Sequence, residues 1–203
     1  MSQFVSFDEG IEVNGTTIMS VANSMTFKFQ VKTIFIEAGL PAPEDIVGDA
    51  NHWYSQQSWL NAFKIIAKKV GDKILFKIGK SIPENAVFPP EIDNIEKGLQ
   101  AVDVAYHMNH RNRDGKVLFD PTKPPDKAML EGIGHYFYKK IPSENMAIIT
   151  CENPYPCDFD RGIITTMAEK FNSTATVSHD DSKPCRKQGA KSCNYIVSWN
   201  PAQ

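Results

Sequence analysis

Cysteine is scarce in this chain, with four among 203 residues. That is too few for a disulfide scaffold, so the fold has to rest on a buried core, for which 41% apolar residues is ample. Long apolar runs are missing as well: no stretch approaches the roughly 18 uninterrupted residues of a membrane span. The opening "MSQFVSFDEGIEVNGTTIMSV" lacks a basic segment followed by an apolar one, so a soluble, cytoplasmic protein without a membrane partner is expected. Nor is there an excess of charge of one sign. With 22 basic against 24 acidic residues and a net charge of −2, no overall field draws nucleic acid or anionic lipid. Internal repeats, low-complexity tracts, a Gly-rich phosphate loop and a nucleophile elbow are all absent, and one domain spanning 1–203 is expected.

What is present is apolar periodicity. In "IEVNGTTIMSVANSM" the Asn-Gly pair suggests a turn between short extended pieces. Phe27, Val31, Ile34 and Phe35 recur at helical spacing before Gly39, and Trp59, Phe63, Ile66 and Val70 do so before Gly71. "KILFKIGKSIP" alternates at Ile74, Phe76 and Ile78, the period of a half-buried strand. A helix after the prolines at 89 and 90 aligns Ile92, Ile95, Leu99, Val102 and Tyr106. "RNRDGKVLFDPTKPPDK" reads as a loop. "NMAIITC" reads as a buried strand, and "DFDRGIITTMAEKF" as an Asp-capped helix turning Ile163, Ile164, Met167 and Phe171 inward. "TATVSH" and "SCNYIVSW" pair as an antiparallel hairpin with Tyr195, Val197 and Trp199 on one face.

The cysteines fall close to these last elements. Cys185 and Cys193 flank a loop of seven residues, Cys157 precedes the helix before the hairpin, and Cys151 ends the preceding strand. Thiolates so placed can converge on one ion, with His179, Asp180, Asp181 or Cys151 as further ligand candidates. Zinc is the favoured ion because it accepts mixed Cys/His/carboxylate sets in tetrahedral geometry. Isolated buried thiols and a Cys185–Cys193 disulfide are the alternatives.

"PCDFDRGIITTMAEKF", a strand, a Cys, seven residues with a Gly, and "CNYIVSW" resemble the 4-vinyl reductase type of small-molecule-binding domain. Relatives of that domain include the sensor domains of phenol-responsive activators, H-NOX domains and TRAPP trafficking subunits. The resemblance covers about residues 50–199, with its specificity at the cysteines. It implies an α+β fold: a small antiparallel sheet packed with helices around an apolar ligand cavity. In the sensor domains a Cys before a Gly-containing helix, an acidic residue and two Cys seven residues apart hold zinc. Cys157 with Gly162, and Cys185 with Cys193, match that pattern. The position three before Cys185 is Ser182, so His179, Asp180 or Asp181 has to supply the remaining ligand.

The same resemblance implies a sensor for a small apolar or aromatic ligand, frequently a homodimer, signalling through a partner protein. Trp59, Tyr106, His110, His135 and Tyr138 are candidates to line its cavity. H-NOX relatives carry heme on a helix histidine, which makes His107 or His110 the candidate heme ligand. However, Tyr106 stands where the family ligand would follow Leu99, and the Tyr-x-Ser-x-Arg motif is absent, "HYFYKKIPSENM" being the nearest segment. A histidine pair that closes a helix end is the plainer reading of His107 and His110. An enzyme acting on a hydrocarbon-like substrate is a third reading. It could use Glu152, Asp158 and Asp160, although these read more simply as surface or helix-start charges.

Overall fold

The computed structural model describes residues 3–25 and 28–201; Phe27, placed by its spacing on an inward helical stripe, lies outside them. In chain order come β1 (Glu12–Asn14), α1 (Gly15–Ser24), α2 (Lys28–Ala38), β2 (Trp53–Ser55), α3 (Gln56–Lys69), α4 (Asp72–Glu84), α5 (Ile95–Met108) and β3 (His110–Arg111). Then follow α6 (Pro125–Ala128), β4 (His135–Lys140), β5 (Met146–Glu152), α7 (Cys157–Phe171), β6 (Thr176–His179) and β7 (Cys193–Ser198). Two antiparallel sheets form among the described residues: a three-stranded one in the order β2-β1-β3 and a four-stranded one in the order β4-β5-β7-β6. The class is α+β, as the sequence leads one to expect.

Alternation puts Ala147, Ile149 and Cys151 of β5 and Cys193, Tyr195 and Val197 of β7 on the covered face of the larger sheet. Trp199 lies just past the strand, half-buried, with the Lys140 ammonium 4.3 Å from its ring centroid. The helix α7 covers this face and is itself covered by α4. The α4–α7 crossing is set by two glycines. A methyl on Gly79 would meet the Phe159 carbonyl oxygen at 2.1 Å, and one on Gly162 would meet that of Phe76 at 2.2 Å.

Several expectations change. "KILFKIGKSIP" is helical, not extended: Leu75, Ile78 and Gly79 share a face at i, i+3 and i+4 and press on α7. The alternation of Ile74, Phe76 and Ile78 comes from apolar residues surrounding the helix, and a tertiary partner resolves the ambiguity. The Asn-Gly pair starts a helix instead of a hairpin turn. Asn14 caps α1 by accepting from the Thr17 N–H at 3.0 Å, and Gly15 passes close to the Val47 carbonyl. α5 begins at Ile95 behind an Asn94 cap, leaving Ile92 and the prolines outside. α7 starts at Cys157 behind Pro156 with no side-chain cap, and Ile163 and Phe171 are only half-buried. Val70 is exposed, and β4 is a strand that the apolar pattern did not announce.

Gly162→Ala is expected to cost about 1–3 kcal/mol or more, because the added methyl meets backbone that cannot swing aside. Urea unfolding would measure it. An unchanged midpoint would mean that α4 and α7 do not pack this closely.

Candidate functional site

Two sites adjoin the α7 helix. At its first residue three thiols converge: the Cys157 Sγ lies 2.9 Å from that of Cys193 and 3.4 Å from that of Cys185, which is 3.5 Å from Cys193. These separations exclude a disulfide, whose sulfurs sit about 2.05 Å apart. They fall slightly short of the roughly 3.8 Å edge of a tetrahedron with sulfurs about 2.3 Å from a central ion. Each cysteine arrives by a different route. Cys157 opens α7, Cys193 opens β7, and Cys185 accepts from the Lys187 N–H at the start of a short 3-10 turn that ends at Gly189, φ +86°.

Donors surround the sulfurs. The Arg186 N–H lies 3.3 Å from the Cys193 Sγ, and the Gln3 amide lies 2.5 Å from that of Cys157. The Cys157 thiol, the Arg186 N–H and guanidinium, and His179 together pull the Cys193 thiol well below its ordinary value, while the same contact pushes the Cys157 thiol up. His179 borders the same cleft as Cys157 and Cys185. Its Nδ1 donates to Asp181 at 2.9 Å, and its buried Nε2 makes no well-aligned hydrogen bond among the described residues, the ring lying beside the Cys193 thiol. Asp180 is elsewhere: its carboxylate accepts from the Ser182 N–H at 3.1 Å and hydroxyl at 2.5 Å, so it is not part of the group. Cys151 stays in the sheet opposite Cys193, outside the thiol cluster.

Behind the cluster, Arg186 and Asp160 form an ion pair, both buried. Asp160 also accepts from the Tyr136 hydroxyl at 2.6 Å, and Arg186 donates to Asn153 Oδ1 at 2.7 Å. Burial pushes the Asp160 carboxyl up to about 6 against the pull of Arg186, so it remains ionised at neutral pH. Asp160 is therefore not the surface charge its position suggested. Neither it nor Arg186 could be picked out from an apolar pattern, because each takes its meaning from the other.

The second site is an apolar cavity of about 130 Å³ between α3, α5, α7 and β4. Trp59, Val102, Tyr106, His110, Tyr136 and Met167 are among the side chains that line it. The His110 Nδ1 donates to the Tyr106 carbonyl at 2.7 Å, and its Nε2 accepts from the Tyr155 hydroxyl at 2.8 Å. Burial drives the His110 imidazole down to about 4, so it is neutral. Trp59 lines the cavity, and its buried indole N–H has no hydrogen-bond partner among the described residues.

Of the five residues expected to line a cavity, Trp59, Tyr106 and His110 do so, whereas His135 and Tyr138 do not. On β4 it is Tyr136 that faces inward; His135 points to the other side, where it contacts Asp103, and Tyr138 sits farther along, beside Glu96. His107 is buried but does not border the cavity.

This arrangement of helices over a four-stranded sheet matches solved structures along nearly its whole length. The chain has the H-NOX fold. An H-NOX protein from S. oneidensis in the Fe(II) ligation state is similar at a TM-score of 0.64 and 13% identity, over 94% of this chain and 97% of that one. An oxygen-binding H-NOX domain related to soluble guanylate cyclases, in its oxygen complex, gives 0.58 and 14%, over 91% and 92%. An Fe(II) unliganded H-NOX protein variant from K. algicida gives 0.59 and 13%, over 92% and 96%. No family model matches the chain, and no curated protein does. Among the described residues no helix is long and apolar enough to cross a membrane.

His110 carries a pH prediction. Its folded pKa of about 4 lies below the ordinary 6.5, so between these values the unfolded chain binds a proton that the folded one refuses. Stability is then lost as pH falls from 6.5 toward 4, by about 3 kcal/mol for this group. In His110→Gln that share of the acid sensitivity should vanish, as read from urea midpoints between pH 7 and pH 4.5. Parallel curves for the two proteins would refute a neutral buried imidazole.

Proposed function

We propose that the chain is a small-molecule sensor domain of the 4-vinyl reductase/H-NOX kind, with its C-terminal hairpin locked by a zinc ion. The observation that carries the ligand reading is the apolar cavity lined by Trp59, whose buried indole N–H is an unpartnered donor among the described residues. A space of about 130 Å³ is comparable to the engineered cavity of roughly 150 Å³ that admits benzene. The ligand class that fits is a single-ring or similarly compact apolar molecule carrying one hydrogen-bond acceptor. That acceptor would satisfy an indole N–H whose burial otherwise costs about 1–3 kcal/mol. Output would pass through a second copy of the chain or a partner protein.

The zinc reading rests on three converged sulfurs and the His179 ring beside them. The His179 Nδ1 donates to Asp181, as a metal-bound histidine commonly donates its other ring nitrogen to a carboxylate. Cys157, Cys185, Cys193 and His179 would hold the ion. With all four positions filled by protein its role is structural, tying the hairpin to α7.

A heme-based gas sensor is the second reading. It is favoured by the H-NOX neighbours, one of them described as probing heme distortion in that family. The residues here do not fit a porphyrin. The cavity holds about one ring, both His110 nitrogens are engaged, and no Lys or Arg among the described residues lines the cavity to meet the propionates.

Metal analysis of the purified chain should find one tightly held zinc associated with the thiols. Cys185→Ser should lose it and melt at a lower temperature; full retention would end the zinc reading. Phenol should bind Trp59→Phe about tenfold more weakly than the parent, while benzene binds both alike, in a fluorescence titration; equal loss for both would sink the acceptor assignment. An intense Soret band that disappears on replacing His107 or His110 would put heme first.

A further inference from the structure

Around α5 from the cavity, two imidazoles and a carboxylate form a cluster that neither the ligand cavity nor the thiol site uses. Asp103 and His107 lie one turn apart on α5, and His135 faces them from β4. One ligand atom from each lies within 4.8 Å of the other two. Asp103 holds both rings by the same edge. Its backbone carbonyl accepts from the His107 Nδ1 at 2.8 Å, and its carboxylate lies 3.0 Å from the His135 Nδ1. The carboxylate is fixed in turn by the Tyr136 N–H at 2.8 Å. The rings are tilted by 32° with centroids 4.7 Å apart, and Asp103 meets each of them at Nδ1, not at Nε2.

Those two atoms differ in surroundings. The His107 Nε2 is fully buried and has no partner among the described residues. With its proton on Nδ1, it presents a bare lone pair. The His135 Nε2 has the Glu131 carboxylate at 3.4 Å, and Glu152 pairs with His135 across the strands. His135, Glu131 and Glu152 border an open cleft that also takes in Gly132 and Gly134. No Lys or Arg among the described residues lines that cleft.

We propose that this cluster binds a divalent first-row transition ion, such as Zn²⁺, Co²⁺ or Ni²⁺, through one ring nitrogen each of His107 and His135 and the Asp103 carboxylate. Glu131, 3.4 Å from the His135 Nε2, adds a second carboxylate beside the site. The chemistry accounts for the orphaned nitrogen, since a metal takes a lone pair that no donor satisfies. Imidazole and carboxylate are borderline-to-hard ligands, which sets this site apart from the sulfur-rich one. The open cleft reaches the cluster at His135.

The test is a Co²⁺ titration of the full chain as purified, after its metal content has been counted. The expected result is uptake of one further ion with weak visible d–d bands and no added thiolate charge-transfer band. His135→Ala, with its fold checked by circular dichroism, should lose that ion and keep the thiol-associated one. Glu131→Gln changes an exposed side chain and should weaken the new site about tenfold or more. No uptake beyond the thiol-associated metal, or unchanged uptake in both variants, overturns the proposal. Uptake marked by a thiolate band places the ion at the cysteines and overturns it equally. A purified chain found to hold no thiol-associated metal would count against the zinc reading alone, because the uptake read here carries no thiolate band.

Discussion

The ion pair between Arg186 and Asp160 is the contact on which both sites depend. Each charge is sealed from water, and removing either would strand the other in a low-dielectric interior, a loss of about 3–5 kcal/mol in comparable cases. Its energetic value lies less in net attraction than in position. Arg186 follows Cys185 directly, so anchoring the guanidinium seats the cysteine loop over the start of α7. Asn153 extends the anchor to the end of β5, and the Tyr136 hydroxyl extends it to β4. Since Tyr136 also lines the cavity, one buried polar network touches the thiol cluster at one end and the ligand space at the other.

Two helices divide the remaining chemistry by face. On α7, Phe159, Ile163 and Met167, spaced at i, i+4 and i+8, border the cavity, while Cys157 and Asp160 serve the cluster and the ion pair. On α5, Val102 and Tyr106 border the cavity, and Asp103 and His107, each one residue on, meet His135 about 100° around the axis. The strand β4 repeats the division at a period of two, with Tyr136 inward and His135 outward. Neighbouring residues therefore belong to different sites, and a substitution at one can leave the next intact.

The close α4–α7 crossing explains how the cavity keeps its wall. Gly79 and Gly162 let the two backbones approach until carbonyls meet Cα positions. This draws Phe159 and Ile163 against α3 and α5, and the rings of Phe159 and Phe63 sit 4.7 Å apart. The space that remains is small because aromatic side chains fill most of it.

The sequence by itself determined which chemistry is available. The spacing of Cys157, Cys185 and Cys193 around a helix and a hairpin was legible because those elements have strong, short-range patterns. So were the stripes of α3 and α5 and the alternation of β5 and β7. Only the tertiary structure decided the rest. "KILFKIGKSIP" carries apolar residues compatible with either period, and the packing of α7 on Gly79 made it helical. Asn14–Gly15 is compatible with a turn or a cap, and the contacts of Gly15 with the Val47 segment and of Asn14 with Asn109 made it a cap. Asp160 reads as a surface charge until Arg186, 26 residues later, reaches it. His135 reads as a cavity residue until the pleat of β4 turns it toward Asp103. In each case local pattern specifies a period or a donor. Which face is buried, and which donor meets which acceptor, is set by contacts between segments far apart in the chain, which no window along the sequence contains.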